Sequence, residues 1–542
     1  MKNLYKSIFA IGCTALCLMS VTGCIDETEP TSIATKEQAQ RENSATEATL
    51  MGLHAYLNQM DESLVDNNAW HAAFGYPAMM IIRDLFTGDE GFSTTSYMGH
   101  FSWASRNKYL GDSYLYMQYV WNYYYGLVLS ANTMVGMVDP ETASEEQIGY
   151  LGAGYAFRAL AYLDMARMYE FLPNDKTSSI NSVGNNVLNL TVPIVTEQTT
   201  EEGAGNNPRA TRQEMFEFIL SDLDKAEEDI VYMPEDDAHV LPNLACVYGL
   251  KARLYMWIED YVNAEKYARL AIDNEEGGPI SKATALGITS GFNSSTEFMW
   301  GAQQTKEDNS VQSGIVNFAS WISNQSTFGY TGAATGAYMI CDRRFYERIS
   351  DTDWRKLEFK CPAGSELESQ MSYINPALGA RMPAYAALKF RPAAGEIEDY
   401  SVGASMGYPI MRVEEMYFIE AEAAAHQDAA RGKQLVEKFM KTYRDENYIC
   451  EVTATDEVVE EIVFQKRVEQ WGEGQTFFDI KRLNYSVTRG YPGTPFFATA
   501  RLNTNGRPAW MNCVMVRNEG NSNKAVKDWN NPDPSDVYDV WQ

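Results

Sequence analysis

Apolar positions recur with a helical period along most of the chain beyond residue 38. A first amphipathic stretch covers 39–60 and a second 114–138, where Tyr114, Gln118, Trp121, Tyr125 and Leu129 share one stripe. Between 148 and 172 small and aromatic residues alternate, as Tyr155, Ala159, Tyr162 and Ala166 do, which suits helix packed closely on helix. Segments 212–231 and 244–273 continue the pattern. From 277 it breaks: Gly, Ser, Thr, Asn and aromatic residues dominate, with only short helical or extended pieces such as 342–349. Helical period returns at 411–427, 431–444 and 456–483, and beyond 484 Pro492, Pro495, Pro508, Pro532 and Pro534 break any long element. The chain thus divides into a helical stretch 39–276, an irregular insertion 277–410, returning helices 411–483 and a loop-rich tail 484–542.

Inside 244–273, Tyr248, Lys251, Ala252, Tyr255, Ala264 and Ala271 match the large and small positions of a tetratricopeptide repeat. Ala252 and Ala264 fall where two antiparallel helices need small side chains to approach. The N-terminus has a different pattern. Lys2 and Lys6 precede a largely apolar run of fourteen residues, 8–21, too short to span a bilayer comfortably, so 1–23 reads as a signal peptide. Val21-Thr22-Gly23-Cys24 closes it and resembles the bacterial lipobox, whose cysteine receives a diacylglycerol anchor. Cys24 is therefore the expected lipidation site. The linker 24–38 opens on Ile25-Asp26-Glu27-Thr28-Glu29 and resembles the acidic signal that sends Bacteroidota lipoproteins to the outer face of the outer membrane. Downstream, the richest apolar stretch, 151–172, carries Arg158, Asp164, Arg167 and Glu170 and does not read as a membrane span.

Composition narrows the function. The 542 residues are 45% hydrophobic and 22% charged, an ordinary globular balance in a chain too long for one small core. With 44 basic and 73 acidic side chains the net charge is -29, and so acidic a surface repels phosphate backbones, so nucleic acid is not an expected partner. Once Cys24 is acylated, Cys246, Cys341, Cys361, Cys450 and Cys513 remain, an odd set that implies no disulfide framework. His54, His71, His100, His239 and His426 are scattered, without H-E-x-x-H or a pair at ligand spacing, so no metal is expected. Gly152-x-Gly154 and Gly472-x-Gly474 lie in helical pattern and lack the other glycines of a phosphate loop, and no G-x-S-x-G elbow occurs. Neither a cofactor nor catalysis is expected.

Sugar binding without turnover asks for flat aromatic faces against pyranose C–H surfaces, framed by side chains that bond hydroxyls. Twelve aromatics fall within the 39 residues 87–125. Tyr114, Trp121 and Tyr125 keep helical spacing and read as core. Phe92, Tyr97, Phe101 and Trp103 lie in a Gly/Ser/Thr-rich stretch where exposure is expected. Trp103 is the expected stacking platform, with Asp89, Arg106 and Asn107 as polar partners. In the insertion, Trp300, Trp321, Phe328, Tyr330 and Tyr338 are similarly placed. Ser102 and Ser105 around Trp103, and Ser320 and Ser323 around Trp321, leave both rings few apolar neighbours, so the two are expected to stack on one ligand. Ordinary packing competes for each single ring, because large aromatics are usually buried.

A set of motifs ties the chain together. Arg83-Asp84-Leu85 with Thr87-Gly88-Asp89-Glu90 comes first, then Ala156-Phe157-Arg158-Ala159-Leu160-Ala161-Tyr162, Val192-Pro193-Ile194, Arg209-Ala210-Thr211 and the stretch 218–226. Ile419-Glu420-Ala421-Glu422-Ala423 and Arg467-Val468-Glu469-x3-Glu473-Gly474-x4-Asp479-Ile480-Lys481-Arg482 complete it. In order and spacing these resemble the SusD/RagB family of surface nutrient-binding lipoproteins of Bacteroidota; Gln475-Thr476 depart from it, standing where that family has an arginine. The resemblance implies a mainly α fold, four tetratricopeptide-like helix pairs supporting an irregular, loop-rich second half that carries most of the glycan site. It implies non-catalytic capture of oligosaccharides or peptides, an outer-membrane anchor facing the cell exterior, and a SusC-like TonB-dependent transporter over which the lipoprotein sits as a hinged lid. Arg158, Glu422, Arg467, Glu473, Asp479 and Arg482 are then structural, tying helices together. A tetratricopeptide scaffold of outer-membrane assembly competes with this reading, and the insertion at 277–410 counts against it.

Overall fold

A computed structural model describes residues 43–61, 69–94 and 101–542; the signal peptide, Cys24 with its linker, Tyr97 and His100 lie outside the described residues. The fold is mainly α. Its principal helices are α1 (Asn43–Leu57), α2 (Tyr76–Leu85), α3 (Leu115–Val135), α4 (Glu145–Tyr169), α5 (Arg212–Asp229) and α6 (Leu244–Trp257), followed by α7 (Tyr261–Asn274), α8 (Val413–Gln427), α9 (Ala429–Tyr443), α10 (Thr455–Glu469) and α11 (Thr476–Arg482).

Caps, more than the apolar period, fix where these helices begin. α4 starts three residues ahead of the pattern because Ser144 and Gln147 close a capping box: the Ser144 hydroxyl accepts from the Gln147 N–H at 3.2 Å, and Gln147 Oε1 accepts from the Ser144 N–H at 3.1 Å. Thr211 and Glu214 do the same for α5. α4 ends at Tyr169, and Pro173 disfavours helical backbone at Leu172.

From α3 onward each helix packs on the next. α1 lies on α3 and α4, α3 on α4, α4 on α5, α5 on α6, α6 on α7, and α8, arriving after the insertion, packs on α7 as well as on α9 and α10. Ala252, Ala264, Ala268 and Ala271 are fully buried between α6 and α7, and Tyr255 stacks on Tyr267 beside them at 5.5 Å. The strands are short. β1 (Glu90–Phe92) and β2 (Trp300–Gln303) pair antiparallel with β3 (Met339–Cys341) and β4 (Gly407–Met411) respectively, so β1 stitches the helical stretch to the insertion while β2 and β4 close the insertion on itself.

The main apolar core is one continuous cluster from Leu50 to Tyr538 that draws on the helices, the insertion and the tail. Buried ion pairs cross it. Arg158 of α4 makes a bidentate pair with Asp222 of α5 at 2.7 and 2.8 Å. Glu469 at the end of α10 gathers Arg355, Arg412 and Arg444 at 3.1, 3.0 and 2.7 Å. Burial alone would raise the Glu469 carboxyl, but Arg444 and Arg412 outweigh it and hold the group well below the usual range. Glu473 receives Lys389 at 2.6 Å, Asp89 binds Arg467, Asp479 faces Lys466 at 2.9 Å and Arg482 reaches Glu422 at 2.5 Å. The motif residues thus form the tying contacts that the family resemblance implies.

Candidate functional site

The end of α1 is the starting point. After Leu57 the chain turns, and Gly75, with φ +85°, approaches so closely that a Cβ there would overlap the Leu57 carbonyl oxygen, a position that only glycine occupies without strain. The Asp61 N–H bonds the Ala73 carbonyl at 3.0 Å. Asn58 fastens this corner to the insertion: its Nδ2 donates to the Gln303 carbonyl at 2.8 Å and its Oδ1 accepts from the Tyr408 hydroxyl at 2.9 Å. Residues 307–309, just beyond β2, are thereby set opposite α1 and α3.

Between them runs a groove of about 800 Å³. Tyr56 of α1 stacks on Tyr123 of α3 with centroids 5.5 Å apart and planes 23° apart, and its hydroxyl donates to the Tyr123 carbonyl at 3.1 Å. Burial, then Asp61, pushes the Tyr56 phenol up to about 12, so it stays a neutral donor. The Tyr123 hydroxyl is buried and has no hydrogen-bond partner among the described residues. Left so, it costs about 1–3 kcal/mol. Gln59, Asn122 and Asn309 add amides, Asp61, Glu307 and Asp308 add carboxylates, and no Lys or Arg lines the groove among the described residues. Aromatic faces beside amides and acceptors complement a polyol, and the unbalanced acids repel an anionic one.

The sequence-predicted aromatics lie elsewhere, and most are core. Phe101, Trp321 and Tyr330 do meet: Trp321 stacks on Tyr330 at 4.4 Å and meets Phe101 edge-on at 4.8 Å, its Nε1 donates to the His71 carbonyl at 3.3 Å, and the Tyr330 hydroxyl lies 2.5 Å from His71 Nδ1. Trp321 is nevertheless only 2% exposed and Phe101 is fully buried. Trp103, on a short helix at Ser102–Ser105, is 1% exposed and packs on Tyr116 at 5.1 Å and Phe86 at 6.1 Å. The expectation that Trp103 and Trp321 stand exposed over one ligand is therefore overturned. Their serine neighbours do not open them to water: Ser102 accepts from Arg106 at 2.9 Å, Ser320 from the Tyr330 N–H at 2.9 Å and Ser323 from the Ser326 hydroxyl at 3.2 Å, while the Ser105 hydroxyl is buried without a hydrogen-bond partner among the described residues.

The polar partners expected around Trp103 are also engaged structurally. Asp89 holds Arg467, and Asn107 is buried with its amide donating to the Pro534 carbonyl at 3.1 Å. Trp300 is fully buried against Phe157 of α4 at 5.0 Å, Phe328 is buried beside Gly403, and Tyr338 is buried over Gly332. The groove residues escaped notice because Tyr119 and Tyr123 lie on the opposite face of α3 from the expected stripe. That α3 carries aromatics on two faces was the available signal.

Comparison with known proteins follows the same lines. Residues 36–256 match a family model described as starch-binding and associating with the outer membrane, and residues 294–539 match the model of the SusD family. The chain belongs to the SusD family. Its fold is similar to that of a SusD-like carbohydrate-binding protein from Bacteroides vulgatus (TM-score 0.67, 20% identity, 90% of this chain and 97% of that one). It is likewise similar to a SusD superfamily protein from Bacteroides thetaiotaomicron (TM-score 0.66, 16% identity, 89% and 98%). Among curated proteins, a SusD-like protein of Formosa agariphila is 26% identical over 142 residues, a match spanning 26% of this SusD-family chain and 23% of that protein.

Proposed function

We propose that this SusD-family protein captures neutral oligosaccharides at the cell surface and passes them, chemically unaltered, to a SusC-like TonB-dependent transporter in the outer membrane. The groove at the end of α1 carries the reading. It pairs an aromatic surface, Tyr56 on Tyr123, with a rim of amides and carboxylates. A sugar ring packs its C–H face on the one and shares hydroxyl hydrogen bonds with the other. A volume of about 800 Å³ also lies within the range of small-ligand sites.

The test uses the soluble chain beginning after Cys24 on an array of neutral and acidic glycans, with chromatography of the recovered ligand. Neutral oligosaccharides should bind and return at their original length. Shortened products would make the protein a hydrolase, and binding confined to acidic glycans or to peptides would displace the groove reading.

A further inference from the structure

A second cavity, of about 110 Å³, lies where the end of α4 meets α6, α8 and α11. Its lining holds seven cationic side chains against four carboxylates. Most of the cations are neutralised: Arg253 by Glu415 at 2.9 Å, Lys466 by Asp479 at 2.9 Å, and Arg482 by Glu422 at 2.5 Å. Two are not. Lys481 Nζ donates only to the Met168 and Glu170 carbonyls at 2.9 and 2.7 Å, and Arg507 is bonded to the carbonyls of Pro173, Lys481 and Arg482.

Unmet polar atoms, the acceptor Gln475 Oε1 among them, belong to the same lining residues. Nη1 of Arg253, Nη1 of Arg482 and the Gln475 amide are buried without a hydrogen-bond partner among the described residues. Buried cations left on carbonyl oxygens are electrostatically poor, and burial pushes Lys481 down to about 7 and Arg507 to about 10. The space is several times what one water needs, and exposed Pro173 and Glu259 on its lining give a route from solvent.

We propose that this cavity binds a small oxyanion, phosphate or sulfate, held by Lys481, Arg507 and the free guanidinium donors of Arg253 and Arg482. Oxygens directed several ways satisfy these N–H groups together, and the anion supplies the missing negative charge. The site is separate from the groove and does not depend on what the groove binds.

Thermal melts of the mature protein in phosphate, sulfate or chloride at matched ionic strength test it. A saturable rise in Tm with phosphate and sulfate but not with chloride is expected; saturation at low millimolar concentration separates binding from the general exclusion of such salts from protein surfaces. Lys481→Met should weaken the phosphate effect about tenfold or more. Should that variant fail to fold, calorimetric titration of the unaltered protein with phosphate should still give one site per chain. An equal response to all three salts, a saturable rise that survives in Lys481→Met, or a titration without heat would overturn the proposal.

Discussion

Tyr56 reaches its seat in the groove because residue 126 has no side chain: a Cβ on Gly126 would overlap the Tyr56 hydroxyl. Gly126→Ala must push the ring off Tyr123 and break its bond to the Tyr123 carbonyl. Affinity for the glycan identified on the array should fall about tenfold. Stability should hardly change, since alanine gains about 1 kcal/mol in a helix and the lost hydrogen bond costs about as much. Unchanged affinity with the ring displaced would remove Tyr56 from the site. Glu358 offers a test by pH. It is buried, one of its oxygens lacks a partner, and burial lifts its carboxyl to about 8 despite Lys389 nearby. The folded chain therefore keeps a proton that the unfolded chain, at 4.5, has released, so this group costs stability as pH rises from 4.5 to about 8 and adds no further slope above. Urea unfolding at several pH values in that window should show a flatter decline for Glu358→Gln than for the unaltered protein; equal slopes would mean that Glu358 is ionised in the fold. The two tryptophans show where single-residue reading fails. Serine neighbours in the chain suggested solvent around Trp321, yet the ring is covered by Phe101, Phe92 and Tyr330, two of them from the other half of the sequence.

Helices were the legible elements. Period and small-residue spacing placed α3 to α8, and the misplacement of α4 by three residues came from a capping box that apolar period does not register. The groove was not legible, because its walls come from α1, α3 and the turn after β2, and no local pattern joins them. The contact between α4 and α5 carries its own test. Arg158 and Asp222 are both buried, so Arg158→Met strands a carboxylate without its partner and should cost about 3–5 kcal/mol in urea unfolding. Replacing Asp222 by Leu in the same chain should recover much of that loss. A cost below about 1 kcal/mol for the single change would place the pair in the class of solvated surface bridges.

For the whole molecule, anchoring and partnership are the properties to check. Cys24→Ala should move the protein from the outer-membrane fraction to the soluble one, and continued sedimentation with membranes would contradict lipidation at that residue. From detergent-solubilised membranes the unaltered protein should bring down a SusC-like barrel in near-equal amount; recovery of soluble proteins alone would count against the transporter. The continuous core also bears on kinetics. Because the groove is walled by both the helical stretch and the insertion, and these share one apolar interior crossed by the Glu469 ion pairs, parting the walls would mean breaking the fold. A cup that cannot open releases its sugar only as fast as the sugar dissociates. On the proposed function, the dwell time of the ligand then caps the rate of transfer to the transporter, and tighter binding beyond what capture requires would slow uptake instead of improving it.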